Sequence, residues 1–148
     1  MLVFLLGAAI IAAGREQAAT TPFKFVGGTE KLPDACQGLV EVESTELTFT
    51  CPNGSVPVPY SAIKFMQYRP DISKKVWKMK INWKVKPHFE MPLMGGKKNR
   101  YFTIVYEANN ETRAIVLEVA PEKMRPYLAE IDVKAGKRVE VEEYEEYD

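Results

Sequence analysis

The chain has few of the residues that carry catalysis or bind metals. Its 148 residues include two cysteines, Cys36 and Cys51, and one histidine, His88. A CxxC redox motif is absent, and two cysteines with one distant histidine do not make a zinc site. His88 has no serine or cysteine nucleophile at a recognisable spacing, so we expect a surface or packing role for it. The sequence predicts no enzyme, no catalytic residue, no metal and no cofactor.

An excess of one charge is also absent. Twenty Lys and Arg balance twenty Asp and Glu, so no overall field attracts nucleic acid or a membrane. Hydrophobic residues make up 46% of the chain and sixteen residues are aromatic, which is enough apolar area for one folded domain.

The longest apolar run, residues 2–13, is too short to span a bilayer, which needs about 20 residues. No Lys or Arg precedes the run, but small residues, Ala12-Ala13-Gly14, follow it as at a signal-peptidase site. We therefore predict a signal peptide over residues 1–14 and an exported protein, periplasmic or secreted, with no transmembrane domain in its mature part. An uncleaved N-terminal anchor is the alternative.

The cysteine pair fits export. Residues 38–44 and 47–51 alternate between apolar and polar side chains on either side of a turn, which indicates a β-hairpin. That hairpin would bring Cys36 and Cys51 close together, and a disulfide closing a loop of this length stabilises by about 3 kcal/mol. Two unlinked thiols are the alternative.

Short strands dominate the rest of the pattern. Residues 15–36 are polar and predict a linker, and residues 121–135 predict a helix that opens at Pro121 and is followed by Gly136. Pro57 and Pro59 lack donors on the same side of their strand, which predicts a strand at a sheet edge or at a barrel seam. The seven predicted strands are residues 38–44, 47–51, 56–60, 61–68, 76–86, 100–107 and 112–119. They predict a mainly β domain over 37–139: a small antiparallel barrel or sandwich capped by one C-terminal helix.

Segments of this domain resemble the pleckstrin-homology-like (PH-like) barrel of bacterial exported proteins. The resemblance covers about residues 37–141 and rests on GLVEVESTELTF, VPYSAIKFMQY, NRYFTIVYE and MRPYLAEIDVKAGKRVEV in that order. It implies a seven-stranded barrel and a recognition role without chemistry. Phosphoinositide binding in that superfamily requires a basic first hairpin, whereas Glu41, Glu43 and Glu46 occupy this one.

Positive charge is concentrated in the middle of the chain. Eleven Lys or Arg and two acids lie between Ser61 and Arg100, whereas residues 140–148 hold six acids and predict a solvated tail. Alternation over residues 76–86 predicts one apolar and one cationic strand face. The candidate anion-binding residues are Lys78, Lys80, Lys84, Lys86, Lys97, Lys98 and Arg100. A solvated face that blunts aggregation is the alternative reading.

The sequence thus leaves three hypotheses for the function. The first is a non-catalytic binding or protein-interaction module in the cell envelope, with an acidic protein or an anionic surface as partner. The second is a structural or assembly component, and the third an unrecognised enzyme. No nucleic acid is expected, because base-stacking aromatics do not interleave with the lysines.

Overall fold

A computed structural model describes residues 21–87 and 100–141. The elements in chain order are β1 (Phe23–Gly28), β2 (Gln37–Val42), β3 (Glu46–Cys51), β4 (Gly54–Pro59), a 3₁₀ turn (Tyr60–Ala62), β5 (Ile63–Arg69), α1 (Lys74–Trp77), β6 (Arg100–Ala108), β7 (Glu111–Val119), α2 (Pro121–Ala135) and β8 (Val139–Val141). The predictions for residues 1–14, His88, Lys97, Lys98 and residues 142–148 lie outside the described residues.

The strands form one curled sheet in the order β4-β3-β2-β1-β7-β6-β5-β8. Strands β4 and β5 lie six positions apart in this order, about 29 Å in a flat sheet. The turn Tyr60–Ala62 that joins them can bridge about 14 Å at most. The sheet must therefore curl over one of its faces, the inner face, although its two edge strands do not pair.

The predicted fold class is confirmed in outline and wrong in detail. The protein is mainly β with one long C-terminal helix. However, the sheet has eight strands, it is not a closed barrel, and β8 runs parallel to β5. The additional strands are β1 and β8, which lie in segments predicted as a linker and a tail.

Helix α2 covers the open side of the curled sheet. It spans Pro121–Ala135, as predicted, and Gly136 ends it with a left-handed φ of 65°. Its apolar stripe packs on the inner core, with Met124 and Ile131 fully buried. Because α2 contacts both β2 and β8, it joins two distant parts of the sheet.

Two lysines near the end of α2 strengthen this closure. Lys134 Nζ donates to the carbonyl of Val42, at 2.9 Å. Lys137 Nζ donates to the carbonyls of Tyr60 and Ile63, at 2.8 and 2.6 Å. The charged groups thus satisfy backbone acceptors at the end of β2 and where β4 turns into β5.

Strand β1 corrects the predicted linker over residues 15–36. It lies at the centre of the sheet, between β2 and β7, and both Phe23 and Phe25 are fully buried. Its glycines, Gly27 and Gly28, suggested a loop. In the fold, a Cβ at Gly27 would lie 2.6 Å from the Cα of Pro87, so this position requires glycine for a close backbone approach.

The central strands are buried on both faces. All residues of β6 from Arg100 to Tyr106 are buried. The inner face packs against α2, whereas the outer face packs against residues 72–87, which we call the strap. The strap contains α1 and an extended stretch, and it covers an apolar patch that includes Val26, Val105 and Val116.

The strap replaces the strand predicted over residues 76–86. The predicted alternation is present, since Met79, Ile81 and Trp83 pack on the sheet. Its backbone, however, bonds mostly to itself, for example from the Ile81 amide to the Met79 carbonyl at 3.0 Å. The strap lies across the outer face. Within the described residues, its backbone pairs with the sheet only at an isolated bridge between Gly28 and Val85.

Strand β8 corrects the predicted start of the acidic tail at residue 140. Glu140 lies inside β8, and its carboxylate accepts a hydrogen bond from Gln67 Nε2 at 3.2 Å. Gln67 Oε1 in turn accepts from Ser73 Oγ at 2.6 Å, and Ser73 caps α1. This chain of hydrogen bonds, in which Gln67 and Ser73 are buried, connects β8, β5 and the strap, so a truncation at residue 140 would cut into the sheet.

Other local predictions are confirmed. Strands β2 and β3 pair as a hairpin, and β4, with its two prolines, is an edge strand. Strands β6 and β7 pair over Asn109 and Asn110, which both adopt positive φ, as a tight hairpin turn requires. Cys36 and Cys51 form a disulfide with Cα atoms 6.1 Å apart.

Replacing both cysteines by alanine should lower the free energy of unfolding by about 3 kcal/mol, because the unfolded chain loses its cross-link. Denaturant unfolding measures the effect. Reductant should destabilise the parent protein by a similar amount and leave the Cys36→Ala/Cys51→Ala variant unchanged. Equal stability of parent and variant would show that the cross-link does not support the fold.

Candidate ligand-binding groove

The strap presents its lysines to solvent because its apolar side chains are held against the sheet. Lys78, Lys80, Lys84 and Lys86 are all exposed, and the residues between them are half-buried or, at Asn82, polar. The two-faced character predicted for this segment is thus present without the predicted strand.

The end of β1 fixes the position of the strap. The amides of Lys84 and Val85 both donate to the Gly28 carbonyl, at 2.9 and 3.0 Å, and the Gly28 amide donates to the Val85 carbonyl at 2.9 Å. The close approach of Pro87 to Gly27 adds a steric constraint. These contacts fix the backbone position from which the Lys84 side chain projects into solvent.

A groove of about 650 Å³ opens between the strap and the β6–β7 turn. Three segments line it: the loop after β1, the strap, and the turn with the start of β7. The lining residues are Thr29, Glu30, Lys31, Lys80, Asn82, Lys84, Asn110, Glu111, Thr112 and Arg113. Every one of them is a polar or charged residue, so the groove offers many hydrogen-bonding groups and charges, and its apolar surface comes only from the carbon chains of these residues.

Arg113 organises the acidic side of the groove. Its guanidinium donates to Glu30 at 3.1 Å and to Glu111 at 3.4 Å. With Lys31, Lys80 and Lys84, four cationic side chains face two carboxylates, so the lining carries a net charge of +2. No ion pair within the described residues engages those three lysines, which leaves their charges available to a ligand.

Tyr106 lies buried behind the groove, opposite Arg113 in the β6–β7 pairing. Burial raises the pKa of Tyr106 to about 12, and the nearby negative charge of Glu30 adds to the effect. The hydroxyl is therefore neutral at any physiological pH.

The structure separates the predicted anion-binding residues. It places Lys80 and Lys84 in the groove, and Lys78 and Lys86 on the strap outside its lining. Arg100 is not on the surface: it is fully buried on the inner side, with its guanidinium 6.0 Å from the ring of Tyr68. The alternation of β6 directs Arg100 to the same side as Phe102, which is why it cannot extend the cationic face.

Of the ten lining residues, only Lys80 and Lys84 were predicted from the sequence. Lys31 and Glu30 lie in the predicted linker, and Arg113 lies in a hairpin that carried no charge pattern. Only the pairing of β1 with β7 brings Glu30 next to Arg113, 83 residues further along the chain. No local pattern could have indicated this contact.

Other kinds of site are not seen in the described ranges. In residues 21–87 and 100–141, no group of three or more His, Cys, Asp or Glu side chains is arranged to hold a metal ion. Over the same ranges, no helix is long and apolar enough to cross a membrane. The disulfide is compatible with an exported protein.

Comparison with family models finds no match for the chain, and comparison with curated proteins finds none either. The geometry of the strap and the groove therefore has to carry the functional argument.

The raised pKa of Tyr106 makes the free energy of unfolding depend on pH in the alkaline range. Because this group ionises near pH 10 in the unfolded chain and near 12 in the fold, its contribution to stability is complete below about pH 10. It is lost as the pH rises from about 10 to about 12. In Tyr106→Phe that part of the loss should vanish, and the part due to the other ionisable groups should remain, among them Tyr60 and Tyr127, whose pKa burial also raises. Denaturant unfolding across this range is the measurement, and parallel losses in parent and variant would contradict the assignment.

Proposed function

We propose that the chain is a non-catalytic binding module of the cell envelope that docks an anionic partner on its strap. One observation carries the proposal. Residues 72–87 contain six lysines and no acid, and all six are exposed, while four of the apolar side chains between them, Val76, Met79, Ile81 and Trp83, pack on the sheet. The lysines are Lys74, Lys75, Lys78, Lys80, Lys84 and Lys86.

The cationic charge of the strap is scarcely compensated by its neighbours. Among the described residues, only Lys75 of the six pairs with a carboxylate, that of Glu140 at 3.7 Å. Both side chains are more than half exposed, and such a pair contributes only about 0–1 kcal/mol. An external polyanion can therefore engage the whole row, at about 1 kcal/mol for each lysine near an anionic surface.

Two further observations support a binding role in the envelope. A curled sheet closed by a C-terminal helix suits the resemblance to PH-like domains, which implies recognition rather than chemistry. The Cys36–Cys51 disulfide suits an oxidising compartment, in keeping with the predicted export. Assembly has less support, because the large apolar residues that are exposed in the described ranges, Trp77, Val133 and Val141, lie on three different elements.

Reversing the charge of the strap should abolish polyanion binding. We expect Lys78→Glu, Lys80→Glu, Lys84→Glu and Lys86→Glu together to weaken binding to heparin by about ten-fold or more, measured at several salt concentrations. The matched control carries the same change in net charge elsewhere, at Lys64, Lys123, Arg125 and Arg138. Equal losses in both variants would mean that heparin senses net charge alone, and no binding by the parent protein would leave the lysines as a solvated face.

A further inference from the structure

We propose that the groove binds one short acidic saccharide, with carboxylate groups on Lys80 and Lys84 and sugar hydroxyls on the opposite wall. The inference deepens the proposed function and rests on it for the role of these two lysines. It goes further in naming a discrete site, a stoichiometry and a ligand class.

The groove has the size of a ligand site but not its usual lining. A volume of about 650 Å³ lies within the roughly 300–1,000 Å³ that small-molecule sites occupy. Such sites are mostly apolar, whereas all ten residues that line this one are polar. No aromatic ring among them offers a base-stacking platform, which disfavours a nucleotide. The lining instead suits a ligand rich in hydrogen-bonding and charged groups.

Some lining groups are already committed to the fold. Thr29 Oγ1 donates to the Ala114 carbonyl and accepts from the Ala114 amide, at 3.3 and 3.2 Å. Thr112 Oγ1 donates to Glu107 at 2.7 Å. Arg113 is occupied by its two carboxylates.

Five other lining groups remain uncommitted. Within the described residues, no hydrogen bond or ion pair engages the side chains of Lys31, Lys80, Lys84, Asn82 or Asn110. Together they offer three ammonium groups and two amides. The ammonium groups suit carboxylates, and the amides can both donate to and accept from hydroxyls.

The two carboxylates decide between ligand classes. Glu30 and Glu111 each retain acceptor capacity beyond their bond to Arg113. A ligand that carries only negative charge would be repelled by them, whereas hydroxyl donors would satisfy them. An acid that also bears many hydroxyls therefore matches both sides of the groove.

The spacing along the strap sets the length of the ligand. Lys80, Asn82 and Lys84 are alternate residues of an extended segment and project on the same side. Their backbone positions span at most about 14 Å, which exceeds one sugar ring. A saccharide of two or three units can reach both lysines, with Asn82 between them.

The test is an NMR titration of the isotope-labelled full chain with trigalacturonate. We expect saturable one-to-one shifts of backbone amides confined to residues 29–31, 80–84 and 110–113. Maltotriose, which lacks the acid groups, and tripolyphosphate, which lacks hydroxyls, should each bind at least about ten-fold more weakly. Triglutamate serves as an acidic peptide of similar length and should also be weaker.

Matched variants locate the site. Lys80→Glu/Lys84→Glu should weaken trigalacturonate binding by about ten-fold or more. Lys78→Glu/Lys86→Glu has the same net charge and should change the affinity by about two-fold at most at 0.15 M salt. At this salt concentration the Debye length is roughly 8 Å, so exposed charges outside the groove are largely screened. Asn82→Ala leaves the charge unaltered and should cost about five-fold. Unchanged spectra elsewhere verify that each variant is folded.

Several results would overturn the proposal. Absence of saturable shifts, or equal losses in the two lysine pairs, would mean that the groove is not a site. Tripolyphosphate or triglutamate binding as tightly as trigalacturonate would replace the saccharide by a simple anion or a peptide. If the parent protein does not bind heparin but binds trigalacturonate in the groove, only the surface-docking function fails. If the parent protein binds heparin but not trigalacturonate, only the saccharide site fails.

Discussion

The burial of the central strands on both faces is the constraint on which the rest of the structure depends. A sheet whose middle strands are apolar on both sides needs two covers. The first is the curl of the sheet together with α2, which encloses the inner core around Phe102, Ile104 and Met124. The second is the strap, which lies over Val26, Val105 and Val116 on the outer face.

The cover on the outer face is also what creates the candidate site. An extended segment that buries every second side chain must expose the others. Here the exposed alternate positions from residue 78 to residue 86 are four lysines and Asn82, so the packing of the strap on the sheet produces a cationic row as a geometric consequence. Where that row passes the β6–β7 turn, Lys80 and Lys84 form one wall of the groove, and Arg113 with its two carboxylate partners, Glu30 and Glu111, lies on another.

The elements that local patterns determine were predictable from the sequence. Helix α2 with Gly136, the β2–β3 hairpin with its disulfide, the β6–β7 hairpin and the edge strand β4 all follow from short-range chemistry. Strand β1 was not predictable, because Gly27 and Gly28 imitate a loop and their role becomes visible only through Pro87. Alternation over residues 76–86 identified two faces but could not distinguish a strand within a sheet from a strap lying on one.

The same limit applies to the site. Lys80 and Lys84 were found because they share one segment, while Lys31 and Arg113 reach the groove through long-range pairing of β1 with β7. Arg100 was placed with the lysines because it follows them in the chain. The alternation of β6 turns it inward towards Tyr68 instead.

The site and the second cover of the sheet both require that the strap packs on the outer face and is bridged to β1. Nuclear Overhauser contacts in the full-length protein measure this packing. We expect contacts from Ile81 or Trp83 to the patch of Val105, Ala114 and Val116, together with backbone contacts between Gly28 and Val85. A continuous ladder of contacts between residues 76–86 and a neighbouring strand, or no contacts from Ile81 and Trp83 to the sheet, would contradict it.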